Sequence, residues 1–411
     1  MRLSSRRLAG GAIAGCAAVV AVGAGAVLAS GATQAHVVKI GLEAPLTGDN
    51  GLLGQGMLHG AQLAAQRINA NGGIIGPNGK PGYRIQIVPI NDTASSGPNI
   101  GQADKATGIE QARAAILQGI KFVVGPYNSG VGVGTLPIYL QHGIFPVRLT
   151  SRNATSGLGA TLQPMTYQIA PVTTKALTTW LHSKSVAVIY DATDPAGYPI
   201  AEKNAVIAGL TAKHVATTQF PINTQTGNKT TYGAAVAAAE ATHPSSIFVV
   251  TYTPEAAIIA KAITSSRTSS KCLLDFSAYG IDYIAKAGLH AAAKCPVVGV
   301  PSPEVFAGAA PYVSAYRAAF HAAPGVWSPY TYDSVGLLAY MVNHYGKHAY
   351  YVAYLNKALP TVTRFSGWTN KVKIAPKTLD RSPATLVVNS PASRTSFVVN
   401  PAWAKAVGYG G

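Results

Sequence analysis

Two short apolar runs, each closed by a polar turn and separated by a helix-length stretch, constrain this chain more than any other feature. Phe122-Val123-Val124-Gly125 breaks into Pro126-Tyr127-Asn128-Ser129-Gly130, and a helix is expected up to His142. Ile144-Phe145-Pro146-Val147 then ends in Leu149-Thr150-Ser151-Arg152-Asn153. Strand, turn, helix, strand, turn is a βαβ unit. In a parallel sheet of such units every turn after a strand falls on one edge, where open α/β sheets bind ligands. Ser129, Thr150, Ser151 and Asn153 are therefore expected at one crevice. Gly130 and the glycines after it let backbone approach a bound group, and a helix starting there aims free N–H groups at it. Such a site suits a carboxylate or another small polar head. Arg152 suits an anionic head through its bidentate fork. The competing reading is that these are ordinary turn residues satisfying their own backbone.

The same alternation runs through the chain. Strands are expected over 37–42, 83–90, 183–190, 215–222 and 246–252, with helices over 53–71, 101–118, 200–212, 232–242 and 254–265. Residues 165–171 read as a connection between two runs of βαβ units, which argues for two α/β lobes with mainly parallel sheets. Helices at 312–322 and 332–345 and short strands near 365–368, 386–388 and 397–399 follow. Returning helices would cover the first lobe while terminal strands join the second, so the chain crosses between lobes several times, the wiring a hinge needs. The expected division is 36–170 plus 303–362 for lobe one and 171–302 plus 363–411 for lobe two.

Residues 1–35 are set aside as an export signal. Arg2, Arg6 and Arg7 precede an uncharged apolar stretch over 8–29, which ends in Ser30-Gly31-Ala32 and Thr33-Gln34-Ala35, two cleavage-like triplets. Ile13-Ala14-Gly15-Cys16 also resembles a lipoprotein box in which Cys16 would be acylated, although the long apolar run follows rather than precedes it. The chain carries a formal charge of +17 with only 11% charged residues, and its Lys and Arg are scattered, so whole-surface charge is expected and no nucleic-acid site. Cys272 and Cys295 each begin a likely strand; they are either a disulfide or two buried thiols. They lack the partners of a zinc site.

Val38-Lys39-Ile40-Gly41, Leu46-Thr47-Gly48, Gly54, Gly60-Ala61 and the helix ending Ile68-Asn69-Ala70-Asn71-Gly72-Gly73-Ile74 resemble the start of the branched-chain amino-acid-binding proteins. Val123-Val124-Gly125-Pro126, Gly143-Ile144-Phe145-Pro146-Val147 and Tyr252-Thr253-Pro254-Glu255 continue the likeness. These are type I periplasmic solute-binding components of ABC transporters. The resemblance implies a monomeric, exported, two-lobed binder that closes on a small solute and delivers it to a membrane permease, without a cofactor. It places Ser129, Ser151 and Asn153 at the ligand carboxylate, Tyr198 and Tyr252 as aromatic residues of the second lobe, and Leu52 and Leu53 in a first-lobe loop. Relatives that bind amino acids neutralise the ligand ammonium with an acid after a second-lobe strand, but Phe276-Ser277-Ala278-Tyr279-Gly280 has none. Either Asp194 or another acid meets the amine, or the ligand is an amide, a carboxylate or an aromatic acid.

An enzyme is not expected. No Gly-x-Ser-x-Gly elbow occurs, Lys80 is followed by Pro81 where a phosphate loop needs Ser or Thr, and the glycines at 130, 132 and 134 miss the dinucleotide pattern. His344 and His348 are four apart, with no acid nearby for a metal. A ligand-sensing receptor domain acting through a separate membrane partner is the other class, with a hydrolase behind it.

Overall fold

The computed structural model describes residues 36–410 apart from 98, 225–228 and 307; the export signal and Cys16 lie outside the described residues. Strands β1 (Val37–Ala44), β2 (Arg84–Asn91), β3 (Phe122–Val124), β4 (Phe145–Arg148) and β5 (Ala160–Thr161) form one sheet in the order β2-β1-β3-β4-β5. Every pairing in it is parallel. Helices α1 (Gly51–Ala70), α2 (Lys105–Leu117) and α3 (Ser129–Gln141) carry the chain back between strands.

After helix α4 (Thr166–Lys175) a second sheet begins with β6 (Ser185–Asp191), β7 (Ala216–Ile222), β8 (Ser246–Val250), β9 (Lys271–Leu274) and β10 (Val297–Gly299). Its strands are again parallel, connected through α5 (Tyr198–Thr211), α6 (Lys229–Glu240), α7 (Thr253–Ser265), α8 (Ile281–Ala287) and α9 (Leu289–Lys294). Cys272 of β9 and Cys295, just before β10, form a disulfide.

The C-terminal section serves both sheets. Helices α10 (Ala310–Phe320), α11 (Ser328–Tyr345) and α12 (Val352–Ala358) follow β10, and α11 packs on α1, with the Thr331 hydroxyl donating to the Met57 carbonyl at 2.8 Å. Strands β11 (Ser366–Gly367) and β12 (Asn370–Lys371) form a hairpin of their own, held by Asp333 of α11, which accepts from the N–H groups of Trp368 and Thr369. Strands β13 (Val387–Ser393) and β14 (Ser396–Val399) add antiparallel to β10, and α13 (Pro401–Val407) closes the chain.

Three local expectations change. Residues 165–171 are not a connection: α4 runs through Pro171, because burying Ile169, Ala170 and Thr173 outweighs the backbone hydrogen bond proline removes. Phe365–Trp368 contributes only the small hairpin and leaves the second sheet alone. Helix α5 starts at Tyr198, two residues early, since Pro199 suits a first helical turn.

One buried ion pair joins distant segments. The Arg148 guanidinium of β4 pairs with Asp380, and both side chains are fully buried. The guanidinium also donates to the carbonyls of Gly159 and Thr378, while Asp380 accepts from Ser156 (2.8 Å) and Tyr167 (3.3 Å). Removing one partner strands a desolvated charge, which costs about 3–5 kcal/mol. Asp380→Asn is therefore expected to lower the denaturation midpoint by that amount of stability, and an Arg148→Met/Asp380→Leu double variant to lose less. Equal losses in a urea titration would show that the pair is not what holds 378–381 in place.

Candidate ligand-binding site

Both sheets present the carboxyl ends of their strands to one cleft. Gly125, directly after β3, has φ +115°, and a Cβ there would sit 2.2 Å from the Glu43 carbonyl, so only glycine lets the turn leave the sheet this way. The turn then delivers Ser129 to the first position of α3, with the Asn128 side chain capping the Gly130 N–H at 3.0 Å. After β4, Ser151 is buried beside it, and the Arg152 N–H donates to the Ser129 hydroxyl at 3.3 Å.

Ser129, Ser151, Tyr198 and Tyr252 line one small inner pocket with Tyr127, Leu149, Phe276 and Ser277. Its ≈ 10 Å³ is about the room of one water. Tyr198 stands at the start of α5, and Tyr252 is the residue before α7. Behind the pocket, Trp327 stacks obliquely between Tyr127 (6.1 Å) and Phe276 (5.1 Å), joining aromatic rings from both sides of the cleft.

Three of the expected residues, Thr150, Arg152 and Asn153, do not line the cleft. Thr150 is fully buried with its hydroxyl against that of Thr155 at 2.7 Å, because consecutive side chains of an extended segment alternate and Ser151 takes the cleft face. Asn153 is exposed and accepts from the Tyr167 N–H at 3.1 Å, tying down α4. Arg152 lines neither part of the cleft; its guanidinium donates across it to the Ala196 carbonyl. Leu52 and Leu53 lie in α1 and edge a separate ≈ 70 Å³ cavity with His59 and Trp327.

A second, larger part of the cleft opens beyond Tyr252. Its ≈ 230 Å³ is bounded by Asn128, Gly130 and Tyr252, which separate it from the inner pocket, and by several carboxylates, among them Asp191 and Asp194. The Asn128 amide donates to the Tyr252 hydroxyl at 3.2 Å across this boundary. Gly130 is required here too: a Cβ on it would lie 2.0 Å from a carboxylate oxygen of Asp194. Further contacts across the cleft join the Gln102 amide to the Thr224 carbonyl and Lys286 to the Asp49 carbonyl, both at 3.2 Å.

Charges behind the inner pocket are acidic. Asp275 is fully buried and accepts from the Ser277 hydroxyl (2.7 Å), the Ser277 N–H (2.9 Å) and the Tyr198 hydroxyl (3.3 Å). Burial pushes its carboxyl up to about 6 against the pull of those donors. Glu202, also fully buried, is pushed well above the carboxylate range by burial and then by Asp275. Asp275 reaches the pocket only through Tyr198 and Ser277. Among the described residues no group of His, Cys, Asp or Glu is arranged to hold a metal ion. His344 instead stacks on Tyr340, and His348 lies against Tyr354.

Sequence reasoning missed Tyr127 and Phe276, which sit in quoted turns but were not singled out, and Trp327, which lies far along the chain. Glu43 and Asp92 are fully buried in the first lobe, and the Tyr139 and Thr135 hydroxyls beside Glu43 only partly offset the cost to its charged form. Burial and then Asp92 raise Glu43 well above its ordinary range, and burial raises Asp92 to about 7. The folded state therefore binds protons that the unfolded chain has already released between about pH 4 and 7. Asp92 therefore contributes stability that is fully present at the acid end of this window and is lost as pH rises through about 7, and Glu43 acts in the same direction. Asp92→Asn is expected to flatten that fall in denaturation curves at pH 4.5, 6 and 8; an unchanged slope would mean the carboxylate is hydrated.

Comparison with known proteins adds the following. The profile of a family described as "Periplasmic binding protein" matches residues 37–384. Leu/Ile/Val-binding protein homolog 2 of Brucella abortus is 32% identical over 130 residues, which is 32% of this chain and 31% of that protein. Homolog 1 is 33% identical over 122 residues, 30% of this chain and 29% of that protein. The match thus spans about a third of the length of these relatives. Among solved structures, a leucine binding protein LivK from Thermotoga maritima superposes with TM-score 0.74 at 18% identity, covering 89% of this chain and 99% of that one. A solute binding protein of R. palustris in complex with benzoate gives 0.72 at 17%, covering 89% and 98%. At these identities the likeness establishes a shared two-lobed fold.

Proposed function

Since the chain belongs to the periplasmic binding protein family, we propose that it captures a small polar solute between its two lobes and delivers it to an ABC-transporter permease outside the cytoplasm. The observation that carries this reading is the convergence of Ser129 and Ser151 from one sheet with Tyr198 and Tyr252 from the other on a single inner pocket. The Leu/Ile/Val-binding relatives and the benzoate complex support an amino acid or a carboxylate as the class of solute. A disulfide between Cys272 and Cys295 suits an oxidising compartment. No enzymatic step is assigned, and the protein acts as a monomer.

The lobes we propose follow the packing. Lobe one takes 36–161 and 303–381, because the β11–β12 hairpin rests on α11 and Asp380 on Arg148. Lobe two takes 166–300 and 387–410, because α4 packs on α5 and β13 pairs with β10. Three short segments then cross between them and act as the hinge. The head of the solute meets the Ser129 and Ser151 hydroxyls and the N-terminus of α3, whose free N–H groups favour an anionic or carbonyl oxygen. Tyr198, Tyr252 and Phe276 close over its body, and excluding water strengthens those hydrogen bonds. An inner pocket this narrow admits a solute only when the lobes part, so closure reports occupancy to the permease.

Thermal-shift screening against amino acids, amides, short-chain carboxylates and aromatic acids identifies the solute, because a ligand that binds only the folded state raises Tm. With that solute, Ser129→Ala is expected to weaken binding by about 1–3 kcal/mol with the unliganded Tm unchanged. Calorimetry returning the same affinity for Ser129→Ala and for Tyr252→Ala would sink the assignment of this pocket.

A further inference from the structure

The outer part of the cleft is far more acidic than the chain that builds it. Asp49, Asp104, Asp191, Asp194 and Glu255 all line it, against one lysine, Lys105. The whole chain has 15 Asp and Glu and a formal charge of +17, so a third of its acids gather at one cavity.

Most of these carboxylates have local work. Asp104 caps α2 by accepting from the Thr107 N–H at 2.8 Å; burial raises its carboxyl, but the hydrogen bonds from Thr107 and Asn99 together outweigh this and hold it below the usual carboxylate value. Asp191 accepts from the Thr193 N–H (2.9 Å) and the Thr224 hydroxyl (3.3 Å), and Asp194 from the Ala196 N–H (2.8 Å).

Glu255 has no such occupation. It is 8% exposed, and its carboxylate has no hydrogen bond to another residue and no ion pair among the described residues. Its place in the first turn of α7 would stabilise a helix if the carboxylate were readily ionised there. Instead burial, and then Asp191 and Asp49, push it up to about 7, with Lys286 the one cation pulling it down. Lys286 itself is turned to Asp282 (3.6 Å) and to the Asp49 carbonyl (3.2 Å). A buried carboxylate repelled by its neighbours, whose one nearby cation is bonded elsewhere, lacks a counter-charge in contact with it. Asp49, an exposed residue in a 3-10 turn of the first lobe, lines the same cavity, and its carboxylate has no hydrogen bond or ion pair among the described residues.

We infer that this outer cavity holds the cationic end of the solute, an ammonium or guanidinium group set between Glu255 of one lobe and Asp49 of the other. The inference rests on the solute-binding reading above and narrows it: the ligand is a small organic cation whose other end reaches past Tyr252 to Ser129 and Ser151. Absence of any metal-holding group of acids among the described residues favours a spread organic charge over a metal ion. Because the two carboxylates belong to different lobes, the cation draws the lobes together, and its charge lets Glu255 release its proton.

The test uses the purified protein at pH 7.5 with L-arginine and agmatine as probes of net positive charge and L-citrulline, L-isoleucine and benzoate as probes that are net neutral or anionic and lack a second cationic group. The cationic probes are expected to raise Tm and to bind at least tenfold more weakly to Glu255→Gln and to Asp49→Asn. The unliganded Glu255→Gln protein is expected to melt no lower than the parent, since the substitution removes a repelled charge. Calorimetry at pH 6.5 in two buffers of different ionisation enthalpy should show proton release on binding in the parent and less of it in Glu255→Gln. Failure of both cations to shift Tm, or equal binding by the parent and Glu255→Gln, overturns the inference. A Ser129-dependent shift with isoleucine or benzoate alone overturns it while leaving the solute-binding reading standing; no shift with any of the five probes counts against both.

Discussion

A parallel strand cannot be followed by its neighbour until the chain has returned to the starting edge, and everything functional here descends from that constraint. It forces each turn after β1, β3 and β4 to one edge of the first sheet, and each turn after β6, β8 and β9 to one edge of the second. Set those edges opposite each other and residues from Asp49 to Phe276 become neighbours without any of them being close in sequence. The helices that make the returns begin at the same edge, so α3, α5 and α7 start at Ser129, Tyr198 and Thr253, beside the cleft. Positioning the site and building the fold are one act.

That economy sets up an electrostatic conflict. Helix N-termini and the first-lobe hydroxyls favour an anionic head, whereas Asp275 and Glu202 behind the inner pocket and the acids of the outer cavity disfavour one. The protein separates the two demands in space. Asp275 is saturated by Tyr198 and Ser277 and meets the pocket only through their donors, while Glu255 is left unsatisfied where the cleft is wider. The cationic solute inferred above matches this gradient from end to end; a plain anion would match only its inner part.

Much of the scaffold was legible because it follows from period and punctuation. Phe122-Val123-Val124 and the run ending at Val147 are buried strands, and Gly125 marks a turn that no other residue allows. Side-chain direction within a turn was not legible. Thr150 and Ser151 are adjacent and chemically alike, yet one meets Thr155 inside the lobe and the other meets the cleft, which depends on where β4 stops. Proline at 171 suggested a break, and only the packing of α4 on α5 explains why the helix continues. Asp194 was named as a candidate for a ligand amine, but Trp327 and the gathering of Asp49 and Glu255 near Asp194 were invisible for another reason: no local pattern marks a residue whose partners come from the other lobe.

Besides the aromatic contacts of Trp327 with Phe276 and Tyr279, the lobes meet across the cleft through single hydrogen bonds, which bears on how they behave as a switch. Asn128 to Tyr252, Gln102 to Thr224, Lys286 to Asp49 and Arg152 to Ala196 are single hydrogen bonds that water can replace when the lobes separate. Opposing them are the carboxylates of the outer cavity, which come from both lobes and repel one another on approach. In the closure we propose, these terms oppose each other, and the solute's own contacts add to the closing side. A ligand shifts such an equilibrium only by its difference in affinity for the two states. In the site we propose, Ser129 and Asp49 stand on one lobe and Tyr252 and Glu255 on the other, so a solute that touches both gains its second set of contacts only when the cleft is shut.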